Sequence, residues 1–248
     1  MLQGTRPCPR SHWHADHVGG NGLLQARGAG IAASVPDADA VARRDPGCCQ
    51  AEYLDQWKVV RTPGHTPGHL CLWQPDERLL VVGDALSDYD IGWVNTALDG
   101  PGAAATALAS LQRLLDLSPR VLLPAHGPVP ADTTSALTDA LRRAQRLVDD
   151  PDGAVWYGVR RIFAYALMIR DGIPAAQVEP YRHQRAWLID AARLLDRTPD
   201  ALAAELVESM LRSGSVVARD DRIRAAAEHT PVMPGSLDVP FPRAWPPA

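Results

Sequence analysis

Cysteine is scarce and poorly spaced in this 248-residue chain. None of its four cysteines forms a Cys-x-x-Cys pair, which removes structural zinc and thioredoxin-like chemistry. Cys48 and Cys49 are adjacent and would pair only with strain, while Cys71 sits in an apolar, strand-like run as a small core residue. A reduced, cytoplasmic setting is the expectation. No stretch reaches the roughly 18 apolar residues that a membrane-spanning helix needs. Nor does the start carry a signal-peptide core, although a missing upstream segment would hide one. Lysine occurs once, at Lys58, and the arginines form no dense run. With a net charge of −4 and a pI near 6.0, bulk charge does not favour nucleic acid as a partner. What remains, 46% apolar and 22% charged residues, is the composition of a soluble globular protein with one large domain or two smaller ones.

Histidine and aspartate are arranged more tellingly. Seven potential metal ligands occur in the order His12-x-His14-x-Asp16-His17, His65, Asp84 and His126. Imidazoles and carboxylates without cysteine suit borderline or hard divalent ions, and seven are too many for one tetrahedral zinc. They suit two metals. His12 and His14, two apart on an extended segment, project to one side, and Asp16 and His17 follow at the turn into Gly19-Gly20.

The segments Ser11-His-Trp-His-Ala-Asp-His-Val-Gly-Gly20, Thr62-Pro-Gly-His-Thr-Pro-Gly-His69, Val82-Gly-Asp84 and Leu123-Pro-Ala-His-Gly-Pro128 resemble the successive metal motifs of the metallo-β-lactamase superfamily. Within it they are most similar to the glyoxalase II and lactonase-like hydrolases. The resemblance covers roughly residues 11 to 130. It implies an α/β fold, an αββα sandwich, holding two divalent metal ions: zinc, with iron or manganese as alternatives. His12, His14 and His65 would hold one metal, Asp16, His17 and His126 the other, and Asp84 would bridge them. A metal-bound hydroxide would attack an ester, thioester or lactone carbonyl, with Asp16 orienting it and handling its proton. His69, the second histidine of its motif, is expected to pack against or support the site; His183 and His229 stand alone as ordinary histidines. A small-molecule (thio)ester or lactone is the expected partner, with no membrane involved. The alternatives are a metal-dependent nuclease of the same superfamily, or an inactive truncated remnant acting only as a binding module.

In that family the histidine-rich motif follows fifty or more residues of strands, whereas here it begins at position 12, so the sandwich is expected to be N-terminally truncated. Met1 to Arg10, with two prolines and no alternating pattern, reads as a poor strand. Strands are expected over Gly30 to Val35, Trp57 to Arg61, Leu70 to Trp73, Leu79 to Val82 and Val121 to Leu123, with a hairpin turn at Gln74 to Arg78. Gly102 to Leu117 reads as an amphipathic helix. The loop from Ala85 to Gly100, with Asp88, Tyr89, Asp90, Trp93 and Asn95, is the expected substrate-facing segment, and Trp13 is expected to pack beneath the site. Residues 1–150 form the expected metal-binding hydrolase domain. Residues 151–230 form a helical region, with helices over Ala154 to Arg170 and Arg185 to Leu195. A further helix, capped at Thr198 and ending at Gly214, leads into a hairpin with its turn at Asp220-Asp221. This arrangement resembles a winged-helix appendage. Arg219, Arg222 and Arg224 face Asp220, Asp221 and Glu228, which favours packing or substrate shaping over nucleic-acid contact. Residues 231–248 form a proline-rich tail.

Overall fold

The computed structural model describes residues 7–34, 53–183 and 185–232. Cys48, Cys49, Val35 and all but the first two residues of the proline-rich tail lie outside them. The chain divides into two compact units, Met1–Asp149 and Asp150–Ala248.

The first unit is built on a mixed sheet in the order β3 (Tyr53–Leu54), β4 (Trp57–Arg61), β5 (Leu70–Gln74), β6 (Leu79–Gly83) and β7 (Val121–Pro124). The pairs β3–β4, β4–β5 and β5–β6 are antiparallel, and β6–β7 is parallel. This alternation fixes the site. The C-terminal ends of β4, β6 and β7 and the N-terminal end of β5 lie at one edge of the sheet, so the loops leaving that edge meet. The expected hairpin turn closes β5 onto β6, with the buried Gln74 side chain accepting from Glu77 N–H at 2.6 Å.

Helix α4 (Ala103–Asp116) and helix α5 (Thr133–Asp149) pack together and cover the sheet. Leu80, Leu114, Leu122 and Leu137 are fully buried where strands and helices meet; each such side chain contributes roughly 1.5–3 kcal/mol. The first of these helices lies where its leucine spacing predicts. The second was not anticipated, because the buried part of its core face is built mainly on alanines, Ala136, Ala140 and Ala144, around Leu137.

One expectation is corrected at the front. Pro7–Pro9 forms a three-residue strand, β1, parallel to β2 (Gly30–Ala32). Two prolines are tolerated because β1 has one neighbouring strand among the described residues, and the donors facing it come from the alternate residues; Arg10 N–H reaches Ala32 O at 2.8 Å. The short helices α1 (Ala15–Val18) and α2 (Asn21–Ala26) follow β1, and α3 (Thr96–Asp99) follows the loop after β6.

The second unit holds helices α6 (Pro151–Met168), α7 (Ala175–His183), α8 (Ala186–Leu194) and α9 (Pro199–Arg212), with a small sheet in the order β8 (Ile173–Pro174), β10 (Arg222–Ala225), β9 (Val216–Arg219). Thr198 Oγ1 caps α9 by accepting from Ala201 N–H at 3.2 Å, with Pro199 at the first helical position. The Asp220-Asp221 turn joins β9 to β10, both residues at positive φ, as a two-residue hairpin requires. Phe163, Leu167, Leu188, Leu202, Leu206 and Met210 form its core.

Candidate metal centre

Three loops at the sheet edge and the segment after β1 each deliver part of one cluster. His12 and His14 precede α1, Asp16 and His17 lie within it, His65 lies between β4 and β5, Asp84 follows β6 directly, and His126 follows β7. Backbone pairing ties the segment after β1 to the sheet: Leu70 N–H donates to Ser11 O at 2.9 Å. All seven side chains come together, in the groups His12–His14–His65, His12–His17–Asp84 and Asp16–His17–His126.

Three imidazole nitrogens converge in the first group. His12 Nε2 lies 2.9 Å from His14 Nδ1, and His65 Nε2 lies 3.0 Å from the same atom. Three nitrogens shared by one tetrahedral zinc sit about 3.3 Å apart, so the spacing is near that of a ligand set. In the Asp16–His17–His126 group, His126 Nε2 is 3.2 Å and His17 Nε2 3.5 Å from Asp16 Oδ2. Asp84 stands between the groups. Its Oδ2 faces His65 Nε2 at 3.5 Å and His12 Nε2 at 3.7 Å, and its Oδ1 faces His17 Nε2 at 3.3 Å and His126 Nε2 at 3.6 Å.

The outward nitrogens are held as metal ligands require. His65 Nδ1 donates to Trp93 O at 2.9 Å, which leaves a lone pair on Nε2 facing the cluster. Ser11 Oγ lies 3.0 Å from both His12 Nδ1 and His17 Nδ1, and its two lone pairs can accept from both rings. Neither contact is legible from sequence, although Ser11 opens the motif. His17 Nε2 and Asp84 Oδ1 are buried and, despite facing each other, form no well-aligned hydrogen bond among the described residues. A buried imidazole nitrogen and carboxylate oxygen left without such a partner fit divalent cations as ligand atoms.

Burial and the surrounding imidazoles drive the His12 pKa far down and bring that of His14 to about 3, so both rings are neutral near pH 7. Burial also opposes charge on His17, but the Asp16 and Asp84 carboxylates, 3.5 and 3.3 Å from Nε2, outweigh it and raise the pKa to about 9. The His17 contact holds the Asp16 carboxyl well below its usual range. Burial pushes Asp84 up, but His17, His65 and His126 together bring it down.

His69 is buried and lies beside the cluster. Its Nε2 accepts from Asp84 N–H at 3.1 Å, so its proton sits on Nδ1 and is donated to Thr62 Oγ1 at 2.8 Å. Burial lowers its pKa to about 3, which keeps Nε2 an acceptor. Gly83 turns the chain at φ +53, and a Cβ there would come within 2.8 Å of His69 Nε2. Gly92 is a residue that sequence reasoning missed. A Cβ on it would lie 2.0 Å from Asp84 O and 3.0 Å from His65 Cβ, so the loop passes the site only as glycine.

Much of the expected substrate-facing loop serves the scaffold. Asn95 caps α3, Asp90 Oδ1 accepts from Ile91 N–H at 2.8 Å, and Trp93 anchors His65 through its carbonyl. Tyr89 is 60% exposed and its ring lies against Gly127, next to His126. Trp13 packs against the small core around Val18, Ile31 and Ala33. His183 and His229 take ordinary partners, Asp200 at 2.9 Å and Met168 O at 2.7 Å.

Residues 50–126 match the family model of the metallo-beta-lactamase superfamily. Among curated proteins, the chain is 37% identical to a probable metallo-hydrolase, YflN, of Bacillus subtilis, over 38% of this chain and 40% of that protein. It is 30% identical to a hydroxyacylglutathione hydrolase of Cereibacter sphaeroides, over 46% of this chain and 44% of that protein. The chain thus spans less than half the length of these relatives. A solved metallo-beta-lactamase from Pontibacter korlensis is 25% identical, with a TM-score of 0.47 over 56% of this chain and 69% of the other. Residues 50–126 thus resemble the metallo-beta-lactamase superfamily, and they lie in the unit that gathers the seven side chains.

Proposed function

We propose that the protein is a dinuclear metal-dependent hydrolase acting on an ester, thioester or lactone carbonyl. The observation that carries this reading is Asp84, one carboxylate oxygen turned to each histidine group. His12, His14 and His65 would hold one ion, Asp16, His17 and His126 the other. Two divalent ions there, zinc, iron or manganese, would make bound water acidic enough to react near neutral pH and would polarise a carbonyl oxygen. Asp16, ionised and 58% exposed, faces the open side and orients the attacking water as a hydrogen-bond acceptor. Its low basicity suits it to passing a proton on rather than retaining it. Tyr89 offers an exposed ring beside His126 for the substrate's acyl or leaving group. The name of the hydroxyacylglutathione hydrolase relative supports a thioester. For the second unit we propose a winged-helix-like fold, supported by the β9–β10 hairpin directly after α9.

The test is metal content after extensive dialysis, followed by turnover of a panel of thioesters and lactones. Near two equivalents of metal are expected, with hydrolysis abolished in His65→Ala and in Asp84→Ala. Unchanged turnover in either variant refutes the proposed centre.

A further inference from the structure

The second unit contains a cleft of about 540 Å³, outside the metal-binding unit, lined by three arginines. Arg170 comes from the end of α6, Arg185 precedes α8 and Arg222 opens β10; Tyr181 and Gln177 of α7 also line it. Among the described residues that line it there is no carboxylate. This contrasts with the neighbouring hairpin, where Arg219 pairs with Asp220 and Arg224 with Asp171.

The guanidinium groups are held in place. Arg170 Cζ lies 5.3 Å and Arg185 Cζ 4.1 Å from the centre of the Tyr181 ring. Arg222 donates to Asp171 O at 3.1 Å and Gly172 O at 2.6 Å, and Arg185 Nε to Tyr181 O at 3.1 Å. Arg170 reaches Ala166 O at 3.3 Å with one of its donors. For Arg170 and Arg222, carbonyl bonds and ring stacking orient the guanidinium without neutralising it, and each carries five N–H donors. The result is a fixed concentration of positive charge in a chain of net charge −4. Its complement is a group with several negatively charged oxygens that accepts forked hydrogen bonds. The volume is that of a small-molecule site.

We propose that this cleft binds a phosphorylated small molecule, up to the size of a nucleoside diphosphate, through Arg170 and Arg222. The proposal does not depend on the hydrolase reading. Calorimetric titration of the metal-loaded full chain tests it, with ADP as probe, inorganic phosphate as competitor and adenosine as the control without phosphate. ADP is expected to bind, phosphate to compete, and adenosine to bind at least about tenfold more weakly. Arg170→Gln is expected to weaken ADP about tenfold. Gln177→Glu, an exposed position where a substitution spares the core, is expected to do the same by adding a negative charge. Asp84→Asn is expected to leave ADP binding unchanged, which separates the cleft from the metal centre. The proposal is overturned if neither ADP nor phosphate binds, if adenosine binds as well as ADP, if both cleft variants bind ADP normally, or if Asp84→Asn abolishes binding. It is also overturned if a short single-stranded RNA binds far more tightly than ADP and loses that affinity in the cleft variants, which would make the face a nucleic-acid contact.

Discussion

Two residues report on the centre independently of turnover. His17 is protonated near neutral pH because its carboxylate neighbours raise its pKa to about 9, whereas His12 and His14 are already neutral. A cation binding at His17 Nε2 must displace that proton. Metal loading at pH 7.5 should therefore release roughly one proton from His17 in addition to any lost by metal-bound water, read from calorimetry in buffers of different ionisation enthalpy, and the His17 part should fall away as pH rises through about 9. Release of none at pH 7.5 would place the metal elsewhere. His69 acts through the Asp84 backbone. His69→Ala should weaken metal binding by about 10–100-fold, the usual cost of losing an outer-shell partner, measured by chelator competition. An unchanged affinity would reduce His69 to packing.

Between the residues and the whole, each element's task is separable. Leu114 is fully buried on α4 and contributes no group to the cluster. Leu114→Ala should cost about 3 kcal/mol in urea unfolding and leave metal affinity within about twofold. A large loss of affinity would mean that α4 positions the site directly. The strands were legible because β5 and β6 are nearly continuous apolar runs and the turn at Gln74 to Arg78 separates them. Helix α5 was hidden by an alanine-built face, and β1 by its prolines. The candidate ligands were legible because their spacing is a chemical pattern. Their supports were not: Ser11, the Trp93 carbonyl and Gly92 act through contacts between loops that only the strand order brings together.

At the scale of the molecule, each unit has its own buried core. Metal bound only to the folded state stabilises the unit that holds it by mass action, by about 4 kcal/mol at a thousandfold excess over the dissociation constant. Scanning calorimetry with and without a chelator should show one transition moving down by several degrees while the one from residues 150–232 holds its temperature. A uniform shift would show that the two units unfold as one. On the proposed reading, Asp84 also sets how the centre fills. A carboxylate pinned by its first ion presents the opposite oxygen already aimed, so the second ion meets a partner whose freedom is gone. Titration with sub-stoichiometric metal should then yield a mixture of empty and fully charged protein, with the half-filled form scarce.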